Sequence, residues 1–114
     1  MAASLKINEM SMNEGTVEQY AMRGFADALE AVPLALAENS GFAPVAALSE
    51  LKAAQVREKN PHLGIDCMQR GHLDMKEQRV FETLIGKKQQ FQLATQLVRM
   101  ILKIDDVMTP GDYE

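Results

Sequence analysis

Tryptophan is absent from this chain of 114 residues, and aromatic residues make up only 5% of it. The core must therefore be built from aliphatic side chains and from eight methionines, whose flexible side chains fill irregular gaps. The single cysteine, Cys67, excludes an intramolecular disulfide and fits a reducing compartment. We therefore expect a cytoplasmic protein.

Long apolar runs are also absent. No stretch approaches the roughly 20 apolar residues that a membrane-spanning helix needs, and the N-terminus does not resemble a secretory signal. The net charge of −4 argues against general nucleic-acid binding, which requires a basic surface. His62 and His72 have no partner at a metal-ligand spacing, so a zinc site is not expected. Neither a membrane nor a nucleic acid is an expected partner.

What the chain does contain is helical periodicity. Its 46% apolar and 25% charged residues are ordinary for a globular protein. Apolar residues at helical spacing predict helices from Thr16 to about Asn39, from Pro44 to about Asn60, and from Gln89 to about Ile104. A weaker helix is expected within residues 1–15, and a flexible polar tail over 109–114.

The central stretch, residues 62–88, interrupts this pattern. Two short apolar runs begin at Leu63 and Leu73, and Gly71 marks a turn between them, which predicts a small β-hairpin. The expected fold is therefore mainly α, a helical bundle with one small hairpin.

Each polar residue of this stretch has an ordinary structural interpretation. Asp66 is typical of a turn residue, and Asp74 with Glu77 fits a capping box at the start of a short helix. Glu82 is expected on a brief helical segment, and Lys87 on a solvated face. Because these last two are five positions apart, an ideal helix would not pair them as i,i+4 neighbours, which leaves both available to a ligand.

Several motifs of the chain closely resemble the C-terminal part of a group II chaperonin subunit, the family that includes the eukaryotic cytosolic chaperonin. They are EQYAMRGFADALEAVPLALAENSG, GIDCMQRGHLDM, FETLIGKKQQ and ATQLVRMILKIDDV, in that order. The resemblance extends from about Thr16 to Val107. It implies that residues 1–114 are part of an equatorial domain, which in the family binds ATP and contacts other subunits.

The resemblance also implies a nucleotide site. Gly64 and Asp66 match the loop that lies along the base and ribose, Glu82 matches a residue at the ribose or base edge, and Lys87 matches one beside adenine. The chemistry is reasonable, because a carboxylate accepts from a ribose hydroxyl, an ammonium group donates to a ring nitrogen, and glycine allows close approach. The implied cofactor is ATP or ADP.

The phosphate-binding glycine loops of the family are not in this sequence, and neither is its apical, substrate-binding domain. Mg²⁺ is therefore expected only together with the N-terminal half of such a domain, and ATP hydrolysis by this chain alone is not expected. The implied partners are other chaperonin subunits, with unfolded proteins reaching the complex through the absent apical domain. The N-terminal half of such a domain would cover apolar faces of this chain, and we expect those faces to be exposed here. The alternative is a truncated, non-catalytic helical module that docks on chaperonin subunits or other proteins.

Overall fold

The structure is a computed structural model that describes residues 1–111, and within them the chain forms four helices. These are α1 (Ala2–Met12), α2 (Glu18–Asn39), α3 (Pro44–Glu58) and α4 (Leu84–Ile101). The mainly α fold is confirmed. The chain divides into two compact units, Met1–Val80 (unit 1) and Phe81–Glu114 (unit 2). The last three residues of the expected tail, 112–114, lie outside the described residues.

Small side chains mark the packing of the first two helices in unit 1. α1 packs against α2, and α2 packs against α3. Ser4 and Ser11 of α1 are buried, as are Ala26 and Ala37 of α2. Side chains this small let two helix backbones approach closely, which explains why serines rather than larger apolar residues are the buried residues of α1.

A polar contact ties the three helices of unit 1 together at Glu30. One carboxylate oxygen accepts a hydrogen bond from Ser4 Oγ of α1 at 2.7 Å. The other lies 2.5 Å from Lys52 Nζ of α3. Burial raises the pKa of Glu30, but the bonds from Lys52 and Ser4 more than offset it, so the pKa lies below its ordinary value.

The apolar core of unit 1 lies where α3 meets the central loop. Leu51, Ala54 and Leu63 are buried there, and Ile65 and Leu73 pack against them. Leu51 and Ala54 are three positions apart on α3, which places them on one face of the helix. These two residues therefore mark the face of α3 that packs on the central loop.

The ends of α2 and α3 follow the turn residues of the sequence. α2 ends at Asn39, and Gly41 then adopts a positive φ of 82°, a conformation that glycine reaches without steric cost. α3 begins with Pro44 in its first turn, where a missing amide donor is tolerated.

The predicted β-hairpin is not confirmed, because the described residues contain no strand. An isolated antiparallel bridge joins Leu63 to Asp74 instead. Its two hydrogen bonds run from Gly64 N to the Leu73 carbonyl and from Met75 N to the His62 carbonyl, each 2.9 Å long. The ladder does not lengthen because turns begin on both sides of it, from residue 65 on one arm and residue 74 on the other.

Unit 2 consists of an extended entry segment, α4 and irregular residues after it. Glu82 precedes the helix, so the prediction that it lies on a brief helical segment is wrong. The helix begins at Leu84, before the predicted start at Gln89, because Thr83 is the N-cap and its hydroxyl accepts from Gly86 N. No residue of α4 is buried. Its apolar side chains, among them Phe91, Leu97 and Val98, are exposed, as predicted for a chain that leaves apolar faces uncovered.

None of the helices formed by residues 1–111 is long and apolar enough to cross a membrane.

Candidate functional site

A cleft in unit 1 lies between the start of α3 and the central loop, and we call it the α3–loop cleft. It encloses about 470 Å³, within the range of about 300–1,000 Å³ that is usual for small-molecule sites. Its lining residues are Phe42, Ala47, Glu50, Leu51, Gly64, Ile65, Asp66, Gln69, Gly71, His72 and Leu73. Two of the four predicted nucleotide residues, Gly64 and Asp66, line this cleft.

Asp66 is held in place by the loop that it belongs to. Its Oδ2 accepts from Gly71 N at 2.8 Å, and its Oδ1 accepts from Gln78 Nε2 at 2.9 Å. The amide of Gln78 also donates to the His72 carbonyl at 2.6 Å. Asp66 is only 9% exposed. Its two carboxylate oxygens therefore hold the loop at Gly71 and at Gln78, as expected of a turn residue.

These bonds fix the charge of Asp66. The hydrogen bond from Gln78 is the largest influence and lowers the pKa of the carboxyl group, while burial works in the opposite direction. The backbone amides of Arg70 and Gly71 and the nearby His72 lower it further. Asp66 is therefore a fixed negative charge in the wall of the cleft at neutral pH.

Gly64 is needed for packing as well as for any ligand. A Cβ at this position would lie 2.7 Å from Met75 Cγ, which is too close for carbon atoms in contact. Glycine thus lets the two bridged arms of the loop come together. This requirement is independent of nucleotide, so the presence of glycine here does not by itself indicate a binding site.

The base of the loop is fixed by a second carboxylate, Asp74. Its Oδ1 accepts from the backbone amides of Lys76 and Glu77, and its Oδ2 accepts from Asn60 Nδ2 at 2.8 Å. The predicted capping bond between Asp74 and Glu77 is thus present, but it caps a turn and not a helix, since residues 75–79 form a turn. The bond from Asn60 chiefly lowers the pKa of Asp74, and partial burial opposes it.

The other two predicted residues, Glu82 and Lys87, belong to unit 2. They form an ion pair with each other; the side chain of Glu82 is largely exposed and that of Lys87 is partly exposed. The pairing is possible because Glu82 lies before the helix and Lys87 in its first turn, so ideal helical spacing does not apply. Neither residue is among those that line the α3–loop cleft.

Four residues of the site were missed by sequence reasoning. Phe42, Glu50 and His72 line the cleft, and Gln78 orients Asp66. Glu50 belongs to the face of α3 that the sequence marks as charged, and nothing in the periodicity separates a charge facing a cleft from one facing water. Gln78 carries no recognisable signal, because a buried glutamine is determined by its partners and not by its spacing.

A second hollow of unit 1, about 730 Å³, lies beside α1 and the end of α3 and contains none of the predicted residues. Gln55 lies at its edge. The amide of this buried residue donates to the Leu63 carbonyl at 2.7 Å and so joins α3 to the loop. Its Oε1 is buried and has no hydrogen-bond partner among the described residues.

The sequence profile of the TCP-1/cpn60 chaperonin family matches residues 1–112. The chain belongs to this family. The resemblance of the motifs to chaperonin subunits, among them the epsilon subunit of the eukaryotic cytosolic chaperonin (TRiC/CCT), is confirmed by this match and by the relatives described next.

Relatives within the chaperonin family come from a eukaryote and from archaea. T-complex protein 1 subunit epsilon of Encephalitozoon cuniculi is 46% identical over 109 residues, which is 96% of this chain and 20% of the relative. Thermosome subunit beta of Archaeoglobus fulgidus is 44% identical over 111 residues, 97% of this chain and 20% of the relative. A thermosome subunit of Pyrococcus abyssi is 41% identical over the same length, with the same coverage. The chain thus spans about a fifth of the length of these chaperonin subunits.

The α3–loop cleft fits one end of a nucleotide better than the other. Its apolar residues, with Phe42 and His72 as rings, suit a base, and its carboxylates suit the hydroxyl groups of a ribose. No lysine or arginine is among the residues that line it. Phosphate groups are normally bound by such cations or by glycine-rich loops, so these lining residues do not fit a triphosphate. Nor do residues 1–111 contain a group of three histidine, cysteine, aspartate or glutamate side chains that could hold a metal ion.

Proposed function

We propose that the chain is part of the equatorial, ATP-binding domain of a chaperonin subunit and that it supplies the base and ribose side of the nucleotide site. Family membership supports the role in assisted protein folding. The observation that supports the site is that Gly64 and Asp66 both line a cleft of suitable size. Glu82 and Lys87, which belong to unit 2, are proposed as nucleotide contacts on the family resemblance alone.

The proposed mechanism is conformational. Nucleotide at these residues would stabilise one arrangement of the equatorial domain and so bias the ring, because a ligand shifts a population only by its differential affinity for the two states. Phosphate binding, Mg²⁺ and hydrolysis would depend on residues outside this chain. ATPase activity is not proposed for these 114 residues alone.

The proposed partners follow from the family. They are other chaperonin subunits in a hetero-oligomeric double ring, and unfolded proteins that reach the ring through an apical domain that is not part of this chain. The proposed location is the cytoplasm. No nucleic acid or membrane is proposed as a partner.

Amide chemical shifts of the isolated 114-residue chain, measured during titration with ADP, test the binding site. We expect shifts at Gly64, Ile65 and Gly71, and none at residues of α1 that lie away from the cleft. Glu82→Gln should weaken binding about threefold to tenfold if Glu82 accepts one ligand hydrogen bond. An unchanged loop spectrum at millimolar ADP would overturn the proposal for this chain.

A second candidate function is a non-catalytic module that docks on chaperonin subunits. The observation in its favour is that α4 buries none of its residues and exposes a broad apolar surface. Co-sedimentation of the tagged chain with intact chaperonin rings tests it. A chain that stays in the supernatant at every ring concentration would exclude this function.

A further inference from the structure

Residues 67–72, which we call the flap, form part of one wall of the α3–loop cleft. All of these residues are exposed, and three of them, Gln69, Gly71 and His72, line the cleft. Segments that bury little apolar surface are the ones that open most easily in a folded protein. The position of the flap therefore depends on its hydrogen bonds.

The hydrogen bonds of the flap come from very few places. Within residues 1–111 they connect it only to Ile65, Asp66 and Gln78. Ile65 and Asp66 immediately precede the flap along the chain, so their bonds bend it locally. Gln78 belongs to the turn over residues 75–79 and is the one partner from a different segment.

A single nitrogen of Gln78 holds both ends of the flap. Its Nε2 donates to Asp66 Oδ1, next to the first flap residue, at 2.9 Å, and to the carbonyl of His72, the last flap residue, at 2.6 Å. A side-chain amide nitrogen carries two hydrogens, so both of its donor positions are used. Because Gln78 is only 7% exposed, water competes little for these bonds.

Backbone conformation favours release of the flap. Gln69, inside the flap, has a φ of 51°, and Arg79, directly after Gln78, has a φ of 58°. Residues other than glycine rarely adopt this left-handed conformation, and they keep it only where the surrounding contacts enforce it. When the bonds of Gln78 break, both residues are free to relax.

We propose that Gln78 is a positioning residue that latches the flap over the α3–loop cleft, and that the flap opens as a unit when this latch breaks. The bridge between Leu63 and Asp74 stays formed, because its hydrogen bonds run from backbone to backbone and do not involve the side chain of Gln78. Opening exposes the cleft to any small ligand. The inference therefore goes beyond the proposed function and does not depend on nucleotide.

The first test is nitrogen-15 relaxation of the full chain without ligand. In the parent, the backbone order parameters of residues 67–72 should be close to those of the helices, about 0.85. In Gln78→Ala they should fall below about 0.6, while those of Gly64 and Met75, at the bridge, stay unchanged.

A second measurement reports access to the cleft. Leu51 lines the cleft from α3 and is only 2% exposed. A neutral gadolinium chelate in solution should relax the methyl protons of Leu51 about twofold or more faster in Gln78→Ala than in the parent, because an open flap lets the probe come closer.

Glu77→Ala is the matched control. Glu77 precedes Gln78 in the same turn, but its side chain is exposed and has no hydrogen to donate at neutral pH. The same truncation at this position should leave both the flap and the Leu51 signal unchanged.

Gln78→Glu tests donation directly. At neutral pH the new carboxylate cannot donate and faces the carboxylate of Asp66, with His72 as the nearby group that can become cationic. Protonation of the new side chain restores one O–H donor. Flap order in this variant should therefore be low at pH 7 and should recover in part by about pH 5, whereas the parent stays ordered throughout.

A disordered flap in Gln78→Ala, absent from Glu77→Ala and partly reversed by acid in Gln78→Glu, supports the inference. An ordered flap in Gln78→Ala would overturn it, and so would disorder that spreads to Gly64 and Met75. An unchanged Leu51 signal beside a disordered flap would overturn the gating of the cleft. A failure to bind ADP would end the proposed function but would leave all of these results unaffected.

Discussion

Glu30 offers the sharpest test of how unit 1 is held together, because one carboxylate joins three helices. The side chain of Glu30 is only 12% exposed, whereas that of its partner Lys52 is 37% exposed. Ser4, the other partner, is fully buried. Replacement of Glu30 therefore removes two contacts that differ in solvent exposure, and we expect them to contribute different amounts to the free energy of unfolding.

The contributions of the two contacts to stability can be estimated separately. The hydrogen bond from buried Ser4 to a charged acceptor is worth about 1.5–3 kcal/mol. The ion pair with the partly exposed Lys52 is worth about 1 kcal/mol, since solvent screens it. Glu30→Gln keeps an acceptor for Ser4 and should cost only the second amount. Glu30→Ala loses both and should reduce the free energy of unfolding by about 2–4 kcal/mol.

Urea denaturation of the parent and of both Glu30 variants measures these differences. Because Glu30 has a lowered pKa when folded, its stabilisation is present above the pKa of the unfolded chain and is lost as the pH falls through the folded value. The gap between parent and Glu30→Gln should accordingly shrink between about pH 5 and pH 3. Equal midpoints for Glu30→Gln and Glu30→Ala, or a gap that grows on acidification, would refute this reasoning.

The remaining predictions concern the loop, the core and α4. Gln78→Leu should raise the pKa of Asp66, because the hydrogen bond from Gln78 is the largest cause of its lowering. The carboxyl carbon chemical shift of Asp66, followed against pH, measures this change, and an unchanged titration would show that the bond is unimportant. Leu51→Ala, at a side chain that is 2% exposed, should cost about 2–5 kcal/mol in urea denaturation, and a cost below about 1 kcal/mol would place the core elsewhere. Leu97→Glu with Val98→Glu should leave stability within about 0.5 kcal/mol, since both residues are exposed. We expect the exposed apolar face of α4 to make the chain self-associate, and the same pair should reduce this association in sedimentation equilibrium. Unchanged association would exclude this face as its cause.

The helices were predictable because their signals are local. The run that ends at Asn39 and the proline at Pro44 give boundaries that depend only on neighbouring residues and on backbone conformation. Burial was less predictable. Ser4 and Ser11 are buried because α2 approaches them closely, and nothing in the polarity of serine indicates that contact.

The central loop shows where local signals are insufficient. Two short apolar runs indicate pairing, and the bridge between Leu63 and Asp74 shows that pairing occurs. How far the pairing extends depends on turns in which backbone amides donate hydrogen bonds to the carboxylates of Asp66 and Asp74. The helical assignment of Glu82 was wrong for a similar reason, since Thr83 caps α4 one residue later.

The residues of the candidate site also fall into two groups, those that the sequence predicts and those that depend on contacts formed on folding. The resemblance predicts Gly64 and Asp66 as site residues, and both line the α3–loop cleft. The resemblance could not identify Gln78 or Glu50. Gln78 contacts Asp66, a residue 12 positions away along the chain, and Glu50 lines the cleft only because its face of α3 is turned toward the loop. Such contacts exist only after folding.

The wall of the cleft is fastened by individual side chains and not by a strand ladder, and this has an evolutionary consequence. Backbone hydrogen bonds between strands are insensitive to most side-chain substitutions. The wall of this cleft is held by the side chains of Asn60, Asp66, Asp74 and Gln78, so a change of one amide or one carboxylate can alter its shape. The helices below it would be undisturbed by such a change. Single mutations at these positions are therefore expected to change the shape of the cleft while the helices of unit 1 keep their packing.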